Sequence, residues 1–159
     1  MFLNFLTYHQ MGKLQQIQDF IASEPIAMAG VSRDPKKFGF AAFRELKEKG
    51  MKIIPVNPYA TEIHGSKVYP DIKSLPDNVK GLIVMTGKDK TPGVIREARE
   101  KGIKHIWIQK NAETGKEIGE LEGSGINLIT KECILMFYKP DGVHKFHVAL
   151  KKFFRRYPR

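Results

Sequence analysis

Apolar positions follow two rhythms along this chain. Over 12–23, Leu14, Ile17, Phe20 and Ile21 fall at offsets 0, 3, 6 and 7, one face of a helix. Glu24-Pro25 ends it, because a residue before proline is driven out of the α region. Ile26 to Ala29 is then a short continuous apolar run, the pattern of a buried strand. Over 39–49, Phe40, Ala42, Phe43 and Leu46 share one face and Arg44, Lys47 and Glu48 the other, and Gly50 supplies the stop. A second strand over 51–56 ends in Val56-Asn57-Pro58-Tyr59, and a turn-rich connection over 61–76 holds a brief strand near Val68-Tyr69. A third apolar run covers 82–85. Thr91-Pro92 reads as N-cap and first helical residue of a helix that buries Val94, Ile95 and Ala98. Glu97 stands four residues before Lys101, the favourable order for an ion pair, and Gly102 ends the helix. A strand over 103–108, a weaker helix over 113–122 containing Gly115 and Gly119, and a last strand over 126–129 complete the pattern.

Helix, glycine stop and strand recur in Glu48-Lys49-Gly50-Met51-Lys52-Ile53 and Glu100-Lys101-Gly102-Ile103-Lys104-His105. This βαβ rhythm predicts an α/β fold: a doubly wound, mainly parallel, Rossmann-like sheet with helices on both faces. Ligands of such sheets bind beyond the carboxyl ends of the strands, where strand order reverses. The expected tips are Gly30-Val31-Ser32, Val56-Asn57-Pro58, Met85-Thr86-Gly87 and Ile108-Gln109, all lining one crevice.

With 159 residues and one cysteine, Cys133, the chain reads as one domain without an internal disulfide framework, in a reducing compartment. No apolar run approaches the ~20 residues of a membrane span. The apolar start lacks the basic region of a signal peptide, so cytoplasm is the expected location and 1–11 reads as an N-terminal extension. The net charge of +10 is uneven: 139–159 hold seven basic residues and one acid, a net of +6. In that tail Val143, Phe146, Leu150 and Phe153 form one helical stripe, predicting a basic amphipathic helix over 141–157. The stripe is expected to bury itself on the α/β body or on a second copy, as in a homodimer; the alternative is a basic amphipathic helix on an anionic membrane or nucleic acid.

The most chemically suggestive stretch is Ile26 to Gly39: strand, polar loop, helix start. Free backbone N–H groups and the helix dipole make such a loop an anion site. Ser32, Arg33, Lys36 and Lys37 add a hydroxyl and positive charge. Only Gly30 stands where G-x-G-x-x-G would give three glycines, and the second strand ends Val-Asn-Pro with no acid for a ribose 2′-hydroxyl, so the NAD fingerprint fails. A nucleotide with charged phosphates fits better, with Val56 and Pro58 as apolar walls for an adenine. Gly30 is expected to leave room for a phosphate, so that Gly30→Val abolishes binding in a folded chain.

Ala-Gly-Val-Ser-Arg-Asp-Pro-Lys-Lys-Phe-Gly (29–39), Pro-Val-Asn-Pro (55–58) and Ile-Trp-Ile-Gln (106–109) resemble the small stand-alone CoA-binding proteins. Their Rossmann-like domain also occurs in the alpha subunit of succinyl-CoA synthetase. The resemblance covers about 12–135 and implies binding of coenzyme A or an acyl-CoA, with no committed reaction. It implies that Gly30, Ser32, Arg33 and Lys37 face the phosphates, with Val31, Lys36, Phe38 and Gly39 in the same loop. Val56, Asn57, Pro58 and Tyr59 hold the adenosine end, Met85 and Thr86 lie beneath, and Ile108 and Gln109 sit toward the pantetheine end. Two segments depart from the family pattern: Lys110-Asn111-Ala112, where an apolar residue and glycine are common, and Lys131-Glu132, where Asp-Arg is usual. The domain is expected over 12–138 and the tail helix over 139–159.

Other residues read as structural. Cys133 is expected to be an inert small hydrophobe rather than a redox partner of a thiol, and Trp107 a core residue. His144 and His147 lack a third clustered ligand, and His64 and His105 read as structural or solvated. No Ser-His-Asp set or carboxylate pair stands out, so neither catalytic nor metal residues are assigned. The alternatives are an NAD(P)-binding redox enzyme or sensor, and nucleic-acid binding through the basic tail.

Overall fold

The apolar runs become the strands of one parallel sheet, and the periodic segments become the helices that cover it. The computed structural model describes residues 12–153, 157 and 158. The expected extension over 1–11 therefore lies outside the described residues, as does the side chain of Phe153. In chain order the elements are α1 (Lys13–Ala22), β1 (Ile26–Ala29), α2 (Phe38–Glu48), β2 (Ile53–Val56), β3 (Glu62–Ile63), β4 (Ser66–Lys67), β5 (Gly81–Val84), α3 (Thr91–Lys101), β6 (His105–Ile108), α4 (Gly115–Leu121), β7 (Asn127–Ile129), a 3-10 turn (Ile134–Met136) and α5 (Gly142–Phe153).

The five-stranded sheet has the order β2-β1-β5-β6-β7, and every neighbouring pair is parallel. The chain steps outward from β1 to β2 and then returns to β5 on the other side of β1. Strand order therefore reverses between β1 and β5, the place where a doubly wound sheet opens a ligand crevice.

Period-2 alternation splits the core. Ile26 and Met28 of β1 join Ile17 and Phe20 of α1 and Phe43 and Leu46 of α2. Ala27 and Ala29 face the other way and join Ile95 and Ala98 of α3 and Leu121 of α4. Helices thus cover both faces, as the βαβ rhythm predicts. Trp107 is fully buried, meets Phe20 edge-on at 5.4 Å, and its indole N–H donates to the Glu132 carbonyl. It is a core residue.

Three local expectations change. The brief strand expected at Val68-Tyr69 is instead a hairpin of β3 and β4 turning at His64-Gly65, both at positive φ. Tyr69 lies alongside Val56 and exchanges backbone bonds with Asn57 and Pro55, covering the β2 edge. Thr91 is not the N-cap: Lys90 holds that position, and the buried Thr91 hydroxyl bonds to the Ala112 carbonyl and pairs with Thr86 Oγ1, both at 3.0 Å. The Glu97–Lys101 pair gives way to tertiary partners. Glu97 accepts from the Ile72 N–H, and Lys101 reaches Asp77 at 2.8 Å.

The tail helix docks by the face opposite the apolar stripe. Val148 is its buried apolar residue, Lys151 pairs with the buried Glu132, and His144 stands 3.6 Å from Glu45. Before the helix, Asp141 meets Lys49, which also bonds Glu45 at 2.6 Å. Val143, Phe146 and Leu150 remain exposed. These three members of the stripe are therefore not buried on the body of their own chain. The reason lies in the body itself, which offers carboxylates along this seam and so draws in the lysine-bearing face.

Candidate functional site

The switch point is built on glycine. Gly30 follows β1 with φ +91°, and a Cβ there would lie 2.6 Å from the Met85 carbonyl carbon and 2.7 Å from the Thr86 nitrogen. The tips of β1 and β5 approach so closely that no side chain fits between them. Gly39, in the first turn of α2, would place a Cβ 2.3 Å from the Gly30 carbonyl oxygen. The helix start is thereby pressed onto the strand tip. The expectation that Gly30→Val leaves the fold intact fails on this geometry, because the glycine serves backbone packing before it serves any ligand.

The N-terminus of α2 has no side-chain cap and no acidic residue in its first turn. The bonds at Phe40 and Ala41 return to the Lys37 carbonyl, and the N–H groups of Phe38 and Gly39 precede that ladder. The loop before it is ordered by its own side chains: the Asp34 N–H donates to Ser32 Oγ and the Lys36 N–H to Asp34 Oδ1. Unpaired N–H groups with Arg33, Lys36 and Lys37 beside them form a positive end suited to an anion.

Beyond these tips lies a cleft of about 540 Å³ lined by Gly30, Val31, Ser32, Val56, Asn57, Pro58, Tyr59 and Thr86. Its far wall adds Pro70, Asp71, Ile72, Lys90, Val94 and Glu97, none of which the sequence patterns assigned to a ligand site. Lys90 had a readable signal, a cation between a strand tip and a helix start. Asp71 and Glu97 reach the wall through the connection after β2 and the face of α3, which periodicity does not specify.

Asn57 braces the cleft. Its amide donates to the Val31 carbonyl at 2.7 Å and its oxygen accepts from the Tyr59 N–H at 2.7 Å. Both ends of the side chain are used, and the tips of β1 and β2 are tied together. Tyr59 stands 69% exposed at the rim.

Met85 and Gln109 line a second cleft of about 460 Å³ with Phe38, Lys110, Asn111, Ala112 and Cys133, and Thr86 belongs to both clefts. The four tips therefore open onto two clefts that meet at Thr86, rather than onto a single crevice. The Gln109 oxygen accepts from the Ile134 N–H at 3.2 Å, which turns its amide NH2 away from that contact. Ile108 is fully buried, and it lines neither cleft, nor do Lys36, Lys37 and Gly39. Arg33 borders an adjoining hollow with Ser32 and Asn57.

Glu45, Asp141 and His144 are the one cluster of metal-ligand type among the described residues. The Lys49 ammonium bridges its two carboxylates. Burial pushes the Lys49 pKa down, but hydrogen bonds and charge from Glu45 and Asp141 outweigh it and the net shift is upward. The cluster already holds its cation, and His147 takes no part in it.

Comparison with known proteins agrees with this geometry. The chain is 38% identical over 101 residues to the alpha subunit of acetate–CoA ligase (ADP-forming) II of Pyrococcus furiosus, covering 62% of this chain and 22% of the subunit. It is 33% identical over 128 residues to acetate–CoA ligase (ADP-forming) II of Archaeoglobus fulgidus, covering 78% and 19% respectively. The chain thus spans about a fifth of the length of these curated relatives. A conserved hypothetical protein from Pyrococcus furiosus superposes with a TM-score of 0.66 at 34% identity, covering 69% of this chain and 95% of that one. The family described as "CoA binding domain" matches residues 24–139, from the entry to β1 to the segment before α5. With that match spanning most of the chain and both clefts, the protein belongs to the CoA binding domain family.

Proposed function

We infer that the chain binds coenzyme A or an acyl-CoA across the two clefts, as a binding module without a reaction of its own. The observation that carries this reading is the uncapped N-terminus of α2, held by Gly39 against Gly30 at the strand-order reversal. A pyrophosphate there meets backbone N–H groups and the positive end of a helix dipole, with Arg33 and Lys37 adding charge. Val56, Pro58 and Tyr59 supply apolar walls for the adenine, on the first cleft. The thiol end runs past Thr86 into the second cleft, where the Gln109 NH2 serves as a donor to a pantetheine carbonyl.

The Asn57 bracing favours CoA over NAD. Its side chain is held in place by one bond to Val31 and one from Tyr59, and the β2 tip offers no acid to a ribose diol. Calorimetric titration tests the reading. Arg33→Ala or Lys37→Ala should weaken CoA by ~1–3 kcal/mol, the range for charge-assisted hydrogen bonds. NAD should bind poorly, and equal affinities for NAD and CoA would overturn the choice of ligand.

A further inference from the structure

Large exposed apolar side chains gather in two places among the described residues. Phe38 and Tyr59 border the clefts, while Val143, Phe146 and Leu150 stand together on α5, 67%, 62% and 38% exposed. At about 100° per residue these three make one ridge along the helix. On the same wheel His147 lies about 40° beyond Val143, while Lys145 and Lys152 lie about 100–120° beyond Phe146, on the polar side of the helix, all exposed. The helix is clamped with this ridge outward: Val148, Lys151 and His144 face the body, the last two toward Glu132 and Glu45. The family match ends at residue 139, so α5 lies beyond the part shared with the CoA binding domain.

We propose that α5 docks the protein on an anionic lipid surface, with Val143, Phe146 and Leu150 entering the headgroup–acyl boundary and the long lysine side chains of its polar side reaching lipid phosphates and carboxylates. Charge selects this occupant. Residues 139–159 carry a net +6 of the chain's +10, and among the described residues the exposed Lys145 and Lys152 share the helix with the apolar ridge. An apolar ridge on a helix whose polar side carries lysines is what an interfacial helix presents to lipid, the long lysine stems letting the ammonium groups reach the headgroups. A second copy fits less well. The three side chains bury a few hundred Å² at most, short of the ~800 Å² per partner of a stable interface. Nucleic acid would leave the ridge in water. Among the described residues no helix is long and apolar enough to cross a membrane, so the contact is peripheral. It is independent of what the clefts hold.

The test is co-sedimentation of the full chain with vesicles of phosphatidylcholine alone and of phosphatidylcholine with a third phosphatidylserine. Binding to the anionic vesicles alone, reduced at least tenfold by Phe146→Glu and by high salt, is the expected result. Phe146→Trp should show a blue-shifted emission with those vesicles, beyond the buried Trp107 background. Far-ultraviolet dichroism and melting confirm that each variant is folded, as the exposed position requires. Equal sedimentation with both vesicle types, or none with either, overturns the proposal. So does a dimer in analytical ultracentrifugation that Phe146→Glu dissolves without vesicle binding, or RNA binding that Phe146→Glu leaves unchanged.

Discussion

Replacing Gly30 by alanine tests how the switch point is built. The residue has φ +91°, and the new Cβ would meet the Met85 carbonyl carbon at 2.6 Å and the Thr86 nitrogen at 2.7 Å. Both neighbours are backbone of a central region, so relief requires one strand tip to shift. Gly102, at φ +78° with nothing within 4 Å of its notional Cβ, is the matched control. A side chain at positive φ costs ~1–2 kcal/mol at either site. Loss of unfolded-chain entropy on Gly→Ala is common to both and cancels in the difference. Overpacking against backbone adds ~1–3 kcal/mol at Gly30 alone. Gly30→Ala should therefore destabilise by ~1–3 kcal/mol more than Gly102→Ala. Guanidinium unfolding followed by circular dichroism, with both variants analysed at a common m-value, measures the difference. Equal losses for the two variants would refute the close approach of β1 and β5.

Asn57→Ala removes the tie between the first two strand tips and should cost ~1–3 kcal/mol for two lost hydrogen bonds, read by the same unfolding assay and weakened CoA in calorimetry. Glu132→Ala frees Lys13 and Lys151, which are 40% and 30% exposed and can turn to water, so the loss should be only ~1–2 kcal/mol. Trypsin should then cut earlier within α5, and an unchanged cleavage pattern would separate that helix's position from Glu132. His105 is held below its ordinary value of 6.5 by burial, which the charge of Asp19 offsets only partly. The Asn127 amide facing its Nδ1 also favours the neutral ring. Its contribution is complete above pH 6.5 and is lost as pH falls toward the folded-state value, because the unfolded chain takes up the proton first. Melting temperature should fall on that acid limb, and less so in His105→Gln.

Helices of the α/β body were legible because each buries one face at a fixed period, and strands because burial on both faces leaves continuous apolar runs such as Ile26–Ala29, Gly81–Val84 and His105–Ile108. Boundaries that depend on tertiary partners were not. Thr91 turns its hydroxyl inward to Ala112 instead of capping, and Lys101 takes Asp77 in place of Glu97. The loop before α2 was legible as a polar stretch between a strand and a helix start, whereas the far wall of the cleft depends on how α3 and the post-β2 connection fold back. The departure at Lys131-Glu132 becomes intelligible only in three dimensions, since Glu132 receives Lys151 from a helix outside the family match. The tail stripe was legible as a stripe, but its direction was not, because carboxylates on the body decide which face of α5 turns inward.

Amide shifts on titrating coenzyme A into the isotopically labelled protein test the central claim most directly. The account predicts that the largest changes fall on the N–H groups of Ser32, Arg33, Phe38 and Gly39, with smaller ones at Thr86 and the Gln109 side chain, and none along α5. Changes centred on α5, or confined to exposed lysines without the Phe38 and Gly39 amides, would contradict a phosphate seated on the start of α2.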